Sequence, residues 1–146
     1  MSISNSPSLV IQKYLIAQDI FTLPSDGDTW PVYLSSMPDG NDVENNAALV
    51  TDEMPSNERV MAGEVVQHFG ISIQVRALDY ETGYLKLKDV LTDLSDVHKA
   101  TVIVGANLYY FWTASKFSGV SNLGTEQGTK RRYWFELKCN ITLEEL

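Results

Sequence analysis

Residues 132–143, RYWFELKCNITL, decide the fold of this chain. Tyr133, Phe135, Leu137, Cys139, Ile141 and Leu143 alternate without a break with Arg132, Trp134, Glu136, Lys138, Asn140 and Thr142. Side chains on a strand alternate faces with a period of two, so the stretch predicts a long strand with one buried face. It follows Ser115–Thr129, a polar, glycine-rich segment too long for an ordinary hairpin loop. Composition there predicts a mobile arm, because glycine and small polar residues bury too little apolar surface to offset the entropy of ordering. Phe117 and Val120 are the apolar residues in it that offer anchors for a partner.

The same alternation recurs from Phe69 to Ala77. Phe69, Ile71, Ile73, Val75 and Ala77 are predicted to face inward, with Gly70, Ser72, Gln74 and Arg76 facing solvent. Asp79 then caps a helix of about five turns, whose apolar face is Tyr80, Tyr84, Leu87, Leu91, Leu94 and His98. Gly83 inside it costs ~1 kcal/mol relative to alanine, so this helix must gain its stability by packing on the sheet. Near the start of the chain, Ser6 and Pro7 read as N-cap and first helical residue of an amphipathic helix reaching about Gln18. Val10, Tyr14 and Ala17, with Ile11 and Leu15, form its apolar stripe, while Gln12, Lys13 and Asp19 are solvated.

Shorter strands are predicted at Trp30–Leu34, Ala47–Thr51, Thr101–Val104 and Leu108–Thr113. Turns lie at Pro38–Asn41 and Gly105–Asn107, and a second exposed loop runs from about residue 53 to 63. The order α-β-β-β-α-β-β-β, with strands mostly joined by turns, predicts an α+β fold: an antiparallel or mixed β-sheet with two helices packed on one face. A chain of 146 residues is read as a single domain, residues 1–146, with mobile loops about 53–63 and 115–129.

Charge narrows the partners. Nineteen acidic residues against eleven basic give a net charge of −8, which opposes tight binding to nucleic acid. The acids are spread along the chain and read as a solvated surface. The exception is the basic cluster Lys130, Arg131 and Arg132, which could pair with an acidic patch such as Asp52 and Glu53 on a neighbouring copy, or could guard a strand edge against unwanted pairing. Arg59, in the 53–63 loop, joins these residues as an interface candidate. Cys139, the single cysteine, sits on the predicted buried face, where a thiol behaves as a small hydrophobe in a reducing compartment. No basic segment followed by an apolar run marks a leader in residues 1–20, and no apolar run approaches the ~20 residues a membrane helix needs.

Motifs for chemistry are faint. Gly124–Lys130 has glycines spaced one residue short of a phosphate-binding loop, and no helix follows. Asp39, Asn41, Asp42 and Glu44 lack the twelve-residue ligand pattern of a calcium loop. His68 and His98 lie far apart, and neither requires a metal or catalytic role. The reading assigns no enzyme activity, metal or cofactor.

The layout resembles the small minor capsid or tail-terminator proteins of tailed bacteriophages, the head-tail joining proteins that close the tail tube. The parts that carry it are the helix in Leu9–Ala17, the strand Trp30–Leu34, the strand Phe69–Ala77 leading into the Tyr80–His98 helix, and the Gly128–Arg132 turn feeding the last strand. The resemblance implies a structural virion protein, assembled in the bacterial host cytoplasm and located in the tail or neck. Its subunits would form a homo-oligomeric, commonly hexameric, ring that contacts the tail tube protein and neck or connector proteins while DNA passes through without tight binding. It transfers no catalytic residues. The Ser115–Thr129 loop is longer and more polar than the family pattern. Head-completion or stopper protein, and a soluble adaptor module, are the alternative readings.

Overall fold

A computed structural model describes residues 4–23, 30–34, 36, 45–53, 67–126 and 131–146. The elements are α1 (Pro7–Ala17), β1 (Val32–Leu34), β2 (Ala47–Glu53), β3 (Gln67–Ala77), α2 (Tyr80–Ser95), β4 (Ala100–Val104), β5 (Asn107–Ser115), β6 (Ser121–Thr125) and β7 (Tyr133–Glu145). Six strands lie in the order β1-β2-β3-β7-β5-β4, and β6 adds to β7. Only β1 and β2 run parallel; the other named pairs are antiparallel. The architecture is the α+β sandwich that the strand pattern predicts.

Local chemistry sets the helix ends. The Ser6 hydroxyl accepts from the Leu9 N–H at 3.3 Å, and Pro7 follows at the position where a missing N–H costs nothing. Asp79 accepts from the Thr82 N–H at 3.0 Å and from the Thr82 hydroxyl at 2.9 Å, and these bonds hold its carboxyl below the usual range. α2 stops at Ser95. His98, expected on its apolar face, therefore lies beyond it and is exposed, and Val97 is the residue buried after the last turn. On α1 the expected solvated Gln12 is instead buried, where its amide donates to the Val32 carbonyl at 2.8 Å, and Ala17 is exposed.

β7 is the spine of the sheet. On one side β3 pairs with it continuously, from Gln67 opposite Leu143 to Ala77 opposite Tyr133. On the other side it is covered in two pieces, β5 opposite residues 140–145 and β6 opposite residues 133–136. β5 and β6 are thus halves of one long strand that leaves β7 at residues 116–120 and rejoins it. Lys116 and Gly119 take positive φ in that excursion, and Ser118 spans the gap: its N–H donates to the Lys138 carbonyl at 2.8 Å and its hydroxyl accepts from the Lys138 N–H at 2.9 Å. Irregularities at Trp112 and Leu123 take up further residues. The Ser115–Thr129 segment, expected as a loop, accordingly carries a strand. Its weak intrinsic preference is overridden by the backbone groups of β7 that it pairs.

Both helices cover one face. Val10, Ile11, Tyr14 and Leu15 of α1 and Leu87, Val90 and Leu94 of α2 share one cluster with Ile71, Ile73, Val75, Phe135, Leu137, Ile141 and Leu143. The other face was expected to be solvated, yet Ser72, Arg76, Arg132 and Asn140 are as buried as the core. Burial of polar groups there is offset by bonding: Ser72 and Gln74 both donate to Glu136 Oε2, at 2.9 and 3.0 Å. The chain ends are tied together as well. Glu145 accepts from the Ser4 N–H and hydroxyl and from the Tyr109 hydroxyl, which keeps its carboxyl below the usual range.

Gly83 shows what sets the distance between α2 and the sheet. A Cβ there would stand 2.9 Å from Phe135 Cε2 and 3.0 Å from the Ala77 Cβ. Phe135 is fully buried and held edge-on by Tyr80 and Tyr84, with ring centroids 5.1 and 6.2 Å away, so it cannot swing clear. Gly83→Ala gains about 1 kcal/mol of helix propensity but incurs about 1–3 kcal/mol of overpacking. The expected result is a net loss of about 1 kcal/mol in urea unfolding, against a loss of about 3–5 kcal/mol for Phe135→Ala. A Gly83→Ala protein more stable than the parent would contradict this packing.

Candidate functional site

Among the described residues, surface charge, exposed apolar groups and two open grooves are the features available for function. Of the eight interface candidates, Arg59 and Lys130 lie outside the described residues. Asp52 is used internally. Its two carboxylate oxygens accept from the Ser8 N–H at 2.9 Å and the Ser8 hydroxyl at 3.1 Å, pinning the first turn of α1 to the end of β2. An anion is favoured there by the unsatisfied N–H groups of the helix start.

Arg132 is also internal. It is 2% exposed, and its Nε donates to Glu126 Oε2 at 3.0 Å. The other carboxylate oxygen of Glu126 accepts from the Trp134 indole at 2.8 Å, while the Glu126 N–H donates to the Arg132 carbonyl at 2.9 Å. One carboxylate therefore fixes the place where the chain turns from β6 back into β7. The expected cationic patch loses one of its members to this contact. Arg131 stays exposed, at φ +48°, and Glu53 stays exposed with its carboxylate 4.0 Å from Lys138 Nζ.

Phe117 and Val120 are half-buried and pack against the chain's own core, so their side chains are partly spent within the subunit. Around the middle of β7, where the 116–120 excursion meets it, lies a cleft of about 280 Å³, lined by Glu53, Ile71, Lys116, Ser118, Lys138, Cys139 and Asn140. Burial pushes the Cys139 thiol up to about 12, which leaves it protonated and unreactive at neutral pH. Tyr14 is likewise raised by burial and by its 2.6 Å bond to Asp93. His68 bonds with Thr142 at 3.2 Å. Among the described residues, no group of three or more His, Cys, Asp or Glu side chains could hold a metal ion, and no helix is long and apolar enough to cross a membrane. Of the phosphate-loop candidate, Gly124 and Thr125 end β6 and residues 127–130 lie outside the described residues, as does the calcium-loop candidate.

Sequence reading located both strands at the β4–β5 end of the sheet but assigned them no role in an interface. Ile103 is 67% exposed there. Just before β4 the Lys99 ammonium lies 4.4 Å from the centre of the Tyr110 ring and 5.1 Å from that of Trp112. A groove of about 290 Å³ separates β4 from α1. The signal was present as Ala100–Val104, five uncharged and mostly β-branched residues. Its consequence depended on knowing that β4 is an edge strand. No family model matches the chain, and no curated protein matches it.

The Arg132–Glu126 contact generates a test of how β6 is held. Glu126→Gln removes a charged hydrogen-bond partner from a buried guanidinium and should lower stability by about 1.5–3 kcal/mol. Glu53→Gln, at an exposed pair, should change it by less than about 0.5 kcal/mol. Equal urea midpoints for the two variants would contradict an internal role for Glu126.

Proposed function

We propose that this chain is a structural subunit that closes the end of a bacteriophage tail tube as an oligomeric ring and joins it to the head. The observation that carries the reading is the layout: one short helix, three strands, a long helix and a second strand group, folded as a sheet with both helices on one face. That layout is the one in which the sequence resembles the tail-terminator proteins. Two features support it. An acidic subunit, at −8, repels the phosphates of a genome passing through a ring. Among the described residues no strand covers the β4 end of the sheet, and closed rings need a surface that each subunit offers to the next.

On this reading no residue performs chemistry. Arg132, Glu126, Asp52 and Ser8 keep the subunit rigid, and assembly falls to groups that remain exposed, including Glu53, Arg131 and Ile103. A lone subunit of this length has a radius of gyration of roughly 15 Å, so ring formation is readily detected by scattering. The test is genetic and structural together. In a phage that encodes this chain, deleting its gene should give tails of irregular length that fail to join heads, and adding the purified protein should restore joining. Tails of normal length that join heads in its absence would contradict the proposal.

A further inference from the structure

The two-residue turn Gly105–Ala106 fixes which backbone groups of β4 are free. Val104 pairs with Asn107 across it, and Gly105, at φ +61°, takes the first central position of a type II′ turn. In such a hairpin Val104, Val102 and Ala100 exchange bonds with β5. The N–H and C=O groups of Thr101 and Ile103 therefore point away from the sheet, and no described residue bonds them. Natural edges are guarded by charge, proline, bulges or short length. β1 is short, at three residues, and β6 carries Gly124 and an irregularity at Leu123. β4 has none of these devices. It reads Ala-Thr-Val-Ile-Val, with Ile103 two-thirds exposed.

Beneath this edge runs the groove between β4 and α1, lined by Lys13, Ile16, Ala17, Thr101, Val102 and Ile103 together with the Tyr14 ring. A strand laid beside β4 at roughly 4.8 Å would direct every second side chain toward α1 and into that groove. The charged residue that lines it, Lys13, is cationic on a chain whose net charge is −8. Another copy of the chain therefore approaches this rim with an excess of carboxylates.

We propose that β4 is the self-association edge, and that a second copy of this chain adds an extended segment to it, continuing the sheet from one subunit into the next. The proposal rests on the ring reading and specifies which surface makes the lateral contact. Backbone bonds to Thr101 and Ile103 hold the segment, the groove selects its apolar residues, and Lys13 favours an acidic one.

Sedimentation velocity on the purified full chain, a 16.3 kDa monomer, tests this with two variants that leave the β4–β5 bonds intact. Thr101→Pro removes an outward N–H, and Ile103→Lys places a charge on the exposed side chain; both should keep the parent's far-UV spectrum and thermal transition. The expected result is a parent that associates over roughly 1–100 µM and variants that associate about tenfold more weakly or not at all. Folded variants that associate as the parent does would overturn the assignment of β4 while leaving the ring reading intact. A parent that stays monomeric throughout would also overturn it, and the ring reading would then stand or fall on the tail-joining experiment.

Discussion

The pairing of β7 on both sides is the constraint on which the rest of the structure depends. Leu137, Cys139 and Ile141 are buried on the helix-covered face, and Asn140 is buried on the other. A strand covered on both faces cannot leave its N–H and C=O groups to water, so each edge must be matched by another strand or a side chain. β3 meets this requirement on one side. On the other, β5, Ser118 and β6 meet it in turn, with Ser118 supplying both bonds to Lys138 where the strands part.

Several features follow from that pairing. The polar, glycine-rich run before β7 is drawn into the sheet because β7 needs it, and the Glu126 carboxylate then locks the return of the chain through Arg132 and Trp134. Phe135, fixed by its place on β7, sets how near α2 may lie, which is why position 83 is a glycine despite its cost to the helix. Asp52, at the end of β2, anchors α1 over the same face. The most extensive pairing in the sheet is that of β3 with β7.

Much of this was legible from residue order. Period-two alternation located β3 and β7, the caps at Ser6 and Asp79 located both helix starts, and the element order gave the fold class. Three things were not legible, for physical reasons. Glycine and small polar residues at 121–125 have weak strand preference, and only their partner makes them a strand. Arg76 and Arg132 look like solvent-facing residues in an alternating pattern, because periodicity records which face a side chain takes and not whether that face is covered. Asp52 and Arg132 read as free surface charges, whereas their partners, Ser8 and Glu126, are set by tertiary contacts. The candidate site was therefore the least legible part, since edge position, which makes Ala100–Val104 consequential, is a property of the sheet and not of the segment.

Native-state amide hydrogen exchange tests the central role of β7 most directly, because it ranks how much of the structure must open to expose each N–H. The account predicts that amides of residues 135–143 exchange only through global unfolding, together with those of β3 that pair with them. It further predicts that the Lys138 amide, bonded to Ser118 and to no strand, shares that slow limit. Exchange of β7 amides at lower opening free energies than those of α1 or α2 would contradict it.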